Sequence, residues 1–523
     1  MDCDVAILGC GPVGATLANQ LGAAGLEVVV IERDARVYPL PRAIHFDGET
    51  MRVFQSLGLR AEVEAISRPG TKGMQFVNAA DQVLMVRAGT AAEGPQGGAN
   101  NHYFHQPELE VVLRAGLARY PNVRLLAGRE AVSVEADGER VRIVLDGGMR
   151  GETVTSVTND ASFTPATPAT PATPATPASS GVSGAGPSNE VRARWLVGCD
   201  GGRSMVRRAI GSINEDLGLH QPWLVFDAIL ERELDLPDYT VQRCDPARPM
   251  TMCCVTGRRR RWEIMLMPGD DPEAIARPEN VWPLISRWVT PADARLERSA
   301  VYTFHSVIAR GWRRGRLMIA GDAAHQTPPF LGQGLCAGIR DCANLAWKLV
   351  RVARGSAPES LLDTYEPERR PHVQAFIELA VRLGAVIQAT DPAVAAERDA
   401  RFLAGEARVF EYPQPGLGPG RHVGALGGTL FPQPRLPDGR RLDEALGEAF
   451  AVLGDAAAID AVDAATRERW RTAGAVVLRD PGEAVAAWWR ARGACAVVLR
   501  PDRYLLGAAR DAGELAAVSA LIA

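Results

Sequence analysis

Residues 4–33, DVAILGCGPVGATLANQLGAAGLEVVVIER, constrain the fold of this chain more than any other stretch. Residues 5–8 read as a short apolar strand and Gly9-Cys10-Gly11-Pro12-Val13-Gly14 as a tight turn. The small residues that follow read as a helix, leading to a second strand over 28–31 that ends on Glu32. A turn this tight lets the backbone approach a pyrophosphate, and the helix N-terminus meets it with unpaired N–H groups and the positive end of its dipole. The anion is then held without a basic side chain. Glu32, 23 residues past Gly9, stands where an acidic group accepts hydrogen bonds from adenosine ribose hydroxyls and disfavours a 2′-phosphate. Strand, turn, helix, strand and acid occur in order within about 30 residues, which predicts a dinucleotide-binding unit rather than an ordinary glycine turn.

The chain has 523 residues, 46% of them hydrophobic, enough for two or three cores. A formal charge of −4 provides no basic field for a polyanion and argues against nucleic acid as a partner. Met1-Asp2-Cys3-Asp4 lacks a positive n-region, and no run reaches the ~18 apolar residues that span a bilayer, so neither a signal peptide nor a membrane partner is expected. The nine cysteines form no Cys-x-x-Cys pair, which removes the spacing of redox and zinc-ribbon motifs. No metal site is expected, and a cytoplasmic location fits best.

Past Glu32, Arg42 is close enough in sequence to reach a phosphate or ribityl chain, or is a solvated loop arginine. His45 faces a ligand or packs structurally. An amphipathic helix is expected over 49–57. Gln106 falls at the entrance of another helix, marked by Pro107 and by Leu109, Val112, Leu113 and Leu117 on one face; it caps that helix or donates to a ligand. Alternating strands over 123–145 surround an Asp137-Gly138 hairpin turn and resume at Val191. Between them, residues 151–190 carry five consecutive Thr-Pro-Ala triplets, a composition with few donors and little to bury, and are expected to form a disordered insert.

Residues 221–268 read as long strands in which Trp262, Ile264 and Leu266 alternate with Arg261, Glu263 and Met265, while the run 258–261 reads as a solvated hairpin tip. A strand from 316 ends on Gly321-Asp322, and a loop with Pro328-Pro329 and Gly332-Gln333-Gly334 leads into a helix over 335–352. Asp322, at a strand end beside a cleft, holds a polyol hydroxyl or caps a helix. From about 403 a Gly-, Pro- and Arg-rich stretch gives way to a small α/β module without a thiol redox motif.

Three elements in this order resemble the FAD-dependent aromatic hydroxylases (class A flavoprotein monooxygenases): Gly9-x-Gly11-x-x-Gly14 with Glu32, Asp200-Gly201-x-x-Ser204-x-x-Arg207, and Gly321-Asp322 with its proline and glycine loop. Within that family, Trp195-Leu196-Val197-x-Cys199-Asp200-Gly201-Gly202, Cys244-Asp245-Pro246-x-Arg248-Pro249 and Leu499-Arg500-Pro501-Asp502-Arg503-Tyr504 look like the 3-(3-hydroxyphenyl)propionate and 3-hydroxycinnamate hydroxylases. The resemblance implies an α/β fold with a Rossmann-like FAD-binding domain (1–75, 100–150, 191–220 and 310–400) interleaved with a mixed-sheet substrate-binding domain (76–99 and 221–309). The insert (151–190) and a thioredoxin-like C-terminal module without Cys-x-x-Cys (403–523) complete it. Gly9, Gly11, Pro12, Gly14, Glu32 and Arg33 are implied to hold the ADP half of FAD, and Gly321 and Asp322 the ribityl chain. Asp200 is implied near the pyrophosphate, Arg42 and Gln106 as further contacts, and Pro329, Gly332 and Gly334 at the border of the flavin ring.

The implied reaction is reduction of FAD by NADH or NADPH, addition of O2 to give a flavin C4a-hydroperoxide, and transfer of one oxygen ortho to the hydroxyl of a small phenolic substrate. That substrate is expected to be 3-(3-hydroxyphenyl)propionate or 3-hydroxycinnamate. The cofactor carries the chemistry, while the protein positions the ring, excludes water and favours the phenolate. His45, Tyr302 and His325 are the candidates for phenol contact or proton relay, and Arg243 or Arg248 for a substrate carboxylate. A second strand, G-x-G-x-x-G turn and helix is lacking, so the nicotinamide is expected to bind transiently. A homodimer is left open. The alternatives are a hydroxylase of another phenol or polyketide, an FAD-binding protein that does not hydroxylate, and a dehydrogenase.

Overall fold

The computed structural model describes residues 1–40, 42–87, 89, 93–146, 189–406 and 415–522. The strand Asp2–Leu8, with Val5, Ala6 and Ile7 fully buried, pairs in parallel with Val28–Glu32 on one side and Glu190–Gly198 on the other. Continuous apolar runs of this kind suit a parallel sheet covered on both faces. Val123–Ala127 and Leu317–Ile319 extend the sheet in parallel beyond these neighbours. Antiparallel Val141–Leu145, Ala131–Ala136 and Arg313–Arg314 complete eight strands. The helices Pro12–Ala23 and Gly334–Ala353 pack against one another; a Cβ on Gly338 would lie 2.6 Å from Val13 Cγ2, so only glycine allows that approach.

A second eight-stranded sheet runs His325–Gln326, Ala294–Arg310, Ile213–Leu230, Arg259–Met265, Met250–Cys254, Thr240–Arg243, Met74–Val77 and Val83–Arg87. Its neighbours are antiparallel except Thr240–Arg243 and Met74–Val77. Ile213–Leu230 starts before the boundary expected at 220, because its first residues already pair with the end of Ala294–Arg310. One face of the sheet packs Leu224, Phe226, Trp262 and Ile264 against Val281 and Ile285 of the helix Pro278–Ile285. The opposite row, Arg261, Glu263 and Met265, is buried as well. Arg261 is therefore no part of a solvated hairpin tip: it forks onto buried Asp227 at 2.7 and 3.1 Å.

His45–Asp47, Asn101–Phe104 and Ser67–Pro69 form a short sheet of their own. The C-terminal segment has a four-stranded sheet in the order Val476–Arg479, Ala451–Gly454, Ala496–Leu499, Leu505–Ala509, the first pair parallel and the others antiparallel, with the helices Leu442–Leu446, Ala456–Asp460, Ala464–Thr472, Glu483–Arg490 and Ala512–Ser519. It is tied to the rest by buried ion pairs, Arg52 to Asp443 at 2.6 Å and Arg500 to Glu368 at 2.9 Å.

The expected insert lies outside the described residues apart from Asn189 and Glu190, the latter already in a strand. Its two ends meet: Leu145 N donates to Asn189 O at 2.8 Å, and Arg129 Nη2 donates to Asp146 O and Asn189 Oδ1 at 2.9 and 3.0 Å. Among the described residues no single helix is long and apolar enough to cross a membrane.

Candidate active site

A cleft of about 400 Å³ is lined by residues of the second large sheet, of the short sheet that holds His45–Asp47 and Asn101–Phe104, and of the loops that follow the parallel strands. The first glycine turn forms one wall. Gly9 has φ +98°, and a Cβ there would lie 2.5 Å from the Cys199 carbonyl oxygen; a Cβ on Gly14 would lie 2.0 Å from the Gly9 carbonyl oxygen. Gly11, by contrast, faces open space, with no heavy atom within 4 Å of an added Cβ, and no side chain caps the helix Pro12–Ala23. Its first N–H groups are thus available to an anion. Glu32 is buried beside the turn, accepting from Cys10 N at 2.7 Å and Asp34 N at 2.9 Å. Arg33 is exposed and does not line the cleft.

Asp322 lines another wall, on the one-turn 3-10 segment Gly321–Ala323. It caps no helix: Ala320 and Gln333 hold the neighbouring cap positions. Asp322 is exposed, and its carboxylate opens to the cleft without a hydrogen bond to the described residues. Gly321 N donates to buried Asp341 Oδ2 at 3.0 Å, which fixes the turn. Pro329, Gly332 and Gly334 continue this wall, Gly332 at φ +64°.

Gln106 reaches the cleft and caps nothing; Oε1 accepts from Ala43 N at 2.7 Å and Nε2 donates to Glu110 Oε1 at 2.8 Å, so it holds the loop that carries Arg42 along the cleft wall. Asp200 serves the helix Met205–Ile210, accepting from Met205 N at 2.6 Å, while its neighbour Gly201 lines the cleft. Arg207 joins two motifs distant in sequence, donating to Gly202 O at 2.5 Å and Ala323 O at 3.0 Å.

Of the three candidates for phenol chemistry, only His45 lines the cleft. Burial lowers its pKa and keeps the ring neutral, with Nδ1 3.3 Å from Gly332 O and Nε2 3.0 Å from Asn101 Oδ1. Gly332 O and Asn101 Oδ1 both accept while a neutral imidazole carries one proton, so the ring donates to one of them at a time; His45 sits between the glycine loop and the strand Asn101–Phe104. His325 is corrected to a structural role: its ring is fully buried, with Nε2 2.7 Å from Asp341 Oδ2. Tyr302 packs beneath the Arg298 guanidinium, 4.5 Å from its ring centroid, and is off the cleft. Arg243 and Arg248 are off it too, paired with Asp81 and Asp270. The arginines that do line it are Arg42, Arg87 and Arg261.

The family model described as FAD binding domain matches residues 2–160 and 175–380. A "probable NADH-specific resorcinol 4-hydroxylase" from Rhodococcus jostii (strain RHA1) is 36% identical over 540 residues, covering 99% of this chain and 94% of that protein. A 3-(3-hydroxy-phenyl)propionate/3-hydroxycinnamic acid hydroxylase from Burkholderia cenocepacia (strain HI2424) is 34% identical over 563 residues, covering 99% and 95%. The chain belongs to the FAD-dependent aromatic hydroxylases. As a member of that family it is an FAD-dependent monooxygenase. Residues 428–523 match the HcaD C-terminal domain. Among solved structures, the flavin-dependent monooxygenase PieE in complex with FAD and substrate superposes with a TM-score of 0.78 at 20% identity over 100% of this chain and 98% of that one. Aklavinone-11 hydroxylase with FAD and aklavinone gives 0.78 at 22%, over 99% and 98%; at such identities the likeness is one of fold.

The glycine cradle, the uncapped helix and the unpartnered Asp322 fit an FAD of this hydroxylase family. Sequence reasoning missed Arg114, whose Nε donates to Cys10 O at 3.1 Å and whose Nη2 lies 4.0 Å from Glu32. It also missed Asp341, which binds Gly321 N, His325 and Arg369 together. Both come from helix interiors far along the chain, where an isolated charge carries no motif.

Proposed function

We propose that this hydroxylase inserts oxygen ortho to the hydroxyl of a small phenol, with NADH as reductant and O2 as co-substrate. The observation that carries the reading is one continuous cleft shared by the Gly11 turn, the Asp322 turn and a polar wall of the mixed sheet. Relatives named for resorcinol and for 3-(3-hydroxyphenyl)propionate or 3-hydroxycinnamate support those compounds as substrates.

In this reading the N–H groups behind Gly11 and Pro12 hold the pyrophosphate of FAD, Glu32 its adenosine ribose and Asp322 its ribityl hydroxyls. Gly9 and Gly14 shape the turn, Arg42 and Gln106 shape the adjoining loop, and Pro329, Gly332 and Gly334 border the ring system. Bound FAD supplies the electron transfer and oxygen activation that no side chain provides. The protein's part is to orient the phenol on the sheet and to exclude water with Ile44, Met74, Phe304 and Leu331. His45, neutral and set between Gly332 and Asn101, keeps the Gly332 loop in register with that wall. The strand order of the C-terminal segment, one parallel and two antiparallel pairings, supports a thioredoxin-like module. Lacking Cys-x-x-Cys, it acts as a brace: Tyr504 donates to Glu49 Oε1 at 2.8 Å at the start of the helix Gly48–Ser56.

Purified protein tests this directly. Yellow protein whose NADH oxidation and O2 uptake rise with added phenol, with a dihydroxylated or trihydroxylated ring as product, is the expected result. Colourless protein points to a dehydrogenase, and bound flavin without phenol-stimulated turnover to a non-hydroxylating flavoprotein.

A further inference from the structure

On the cleft-facing side of the mixed sheet, Glu263, Thr251 and Gln242 lie side by side on three neighbouring strands, Glu263 opposite Thr251 and Thr251 opposite Gln242. All three line the cleft. Thr251 donates to Gln242 Oε1 at 2.5 Å, and among the described residues the Gln242 amide nitrogen has only the Met74 sulfur at 3.7 Å. Glu263 is 7% exposed, and its carboxyl takes part in no hydrogen bond among the described residues. The nearest cation is Arg261, with Nη1 at 3.8 Å. That guanidinium is committed elsewhere, forking onto Asp227 and donating to the Arg42 carbonyl oxygen at 2.6 Å. The carboxyl thus faces the cleft with no donor to it among the described residues, and burial raises the Glu263 pKa against the pull of Arg261. A donor brought by the ligand completes it.

We propose that Glu263 anchors the substrate by accepting a hydrogen bond from a ring hydroxyl while the Gln242 amide donates to a second ring oxygen, so that the site selects a small dihydroxybenzene over a phenol with an acidic side chain. This rests on the phenol hydroxylase reading above. A carboxylate laid along the row meets Glu263, with Arg261 already engaged by Asp227. The other arginine that the sheet brings to the cleft, Arg87, is on Val83–Arg87, four strands away in the sheet order, or about 19 Å at the usual strand spacing.

The test uses the FAD-loaded protein and its Glu263→Gln and Gln242→Ala variants, with flavin occupancy and Tm measured for each. Resorcinol and 3-(3-hydroxyphenyl)propionate are titrated by flavin absorbance change, then assayed for kcat and KM. The wild type is expected to bind resorcinol at least tenfold more tightly than the carboxylated phenol. Glu263→Gln should weaken resorcinol at least tenfold through KM, with kcat within threefold, and should narrow the preference by removing the repulsion. Gln242→Ala, outside the charge cluster, should weaken resorcinol at least threefold and carries the test if Glu263→Gln fails to fold. A wild type that prefers the carboxylated phenol, or variants that hold resorcinol within twofold of wild type, overturn the anchor, as does the absence of binding by both phenols. If resorcinol perturbs the flavin in a Glu263-dependent way without stimulating NADH oxidation, the anchor stands and the hydroxylase reading fails.

Discussion

A single methyl group, added at either of two glycines in the first turn, separates what the turn does for the fold from what it does for FAD. Gly14→Ala places a Cβ 2.0 Å from the Gly9 carbonyl oxygen and 3.3 Å from Cys199 Cβ. Neither neighbour gives easily, because Gly9 N donates to Ile31 O and Cys199 N to Leu8 O, each at 2.8 Å. The helix Pro12–Ala23 must therefore move off the sheet. Overpacking costs about 1–3 kcal/mol, and contact with main chain places this case at the upper end. In a domain of this size that lowers Tm by roughly 5–10 °C. Gly11→Ala is different: its Cβ meets nothing within 4 Å, and φ of −71° suits any residue. The methyl instead fills the space above the free N–H groups. Loss of one hydrogen bond to a charged phosphate, about 1.5–3 kcal/mol, weakens FAD about 10- to 150-fold. Thermal unfolding of the apoprotein and titration with FAD by flavin fluorescence separate the two effects. Gly14→Ala should lose both stability and affinity, and Gly11→Ala affinity alone. Wild-type FAD affinity in Gly11→Ala would refute the placement of the pyrophosphate on this turn.

Three further perturbations probe the frame around the cleft. Burial alone would raise the Asp47 pKa, but its pairing with Arg340 and the Thr50 N–H donated at 3.0 Å bring it from 3.8 down to about 2. A depressed carboxyl contributes stability above its unfolded pKa and loses it as pH falls from about 4 to about 2, here on the order of 2 kcal/mol; denaturant titrations should show that acid limb reduced in Asp47→Asn. Arg52→Ala removes the fork onto Asp443 at 2.6 and 2.8 Å and the bond to Phe431 O at 2.5 Å. Breaking a buried pair in this way should cost about 3–5 kcal/mol in urea unfolding and speed proteolysis of the C-terminal segment; unchanged stability would mean that segment is not braced here. Replacement of residues 147–188 by Asn-Gly should keep flavin occupancy and phenol-stimulated turnover, because Asp146 and Asn189 already share Arg129; loss of flavin would show the insert is needed.

The two halves of the cleft differ in how much of them can be read along the chain. The FAD half depends on backbone shape, and backbone shape is written locally: Gly9, Gly11 and Gly14 occupy one turn, and Glu32 follows in the next strand. The substrate half depends on what covers a sheet. Alternation in Arg259–Met265 shows that the strand has two faces, but only tertiary packing reveals that both are buried, one by Pro278–Ile285 and the other beneath the loop carrying Arg42. Arg261 and Glu263 therefore look like a solvated face until Asp227 and Arg42 are seen beside them. His325 fails for the same reason in reverse. Adjacency to Gly321-Asp322 suggests a ligand contact, yet the acid that claims its ring, Asp341, lies a helix away and binds the Gly321 N–H with the same Oδ2. The histidine thus supports the turn that presents Asp322 to the cleft, and its effect on FAD runs through that backbone rather than through the substrate.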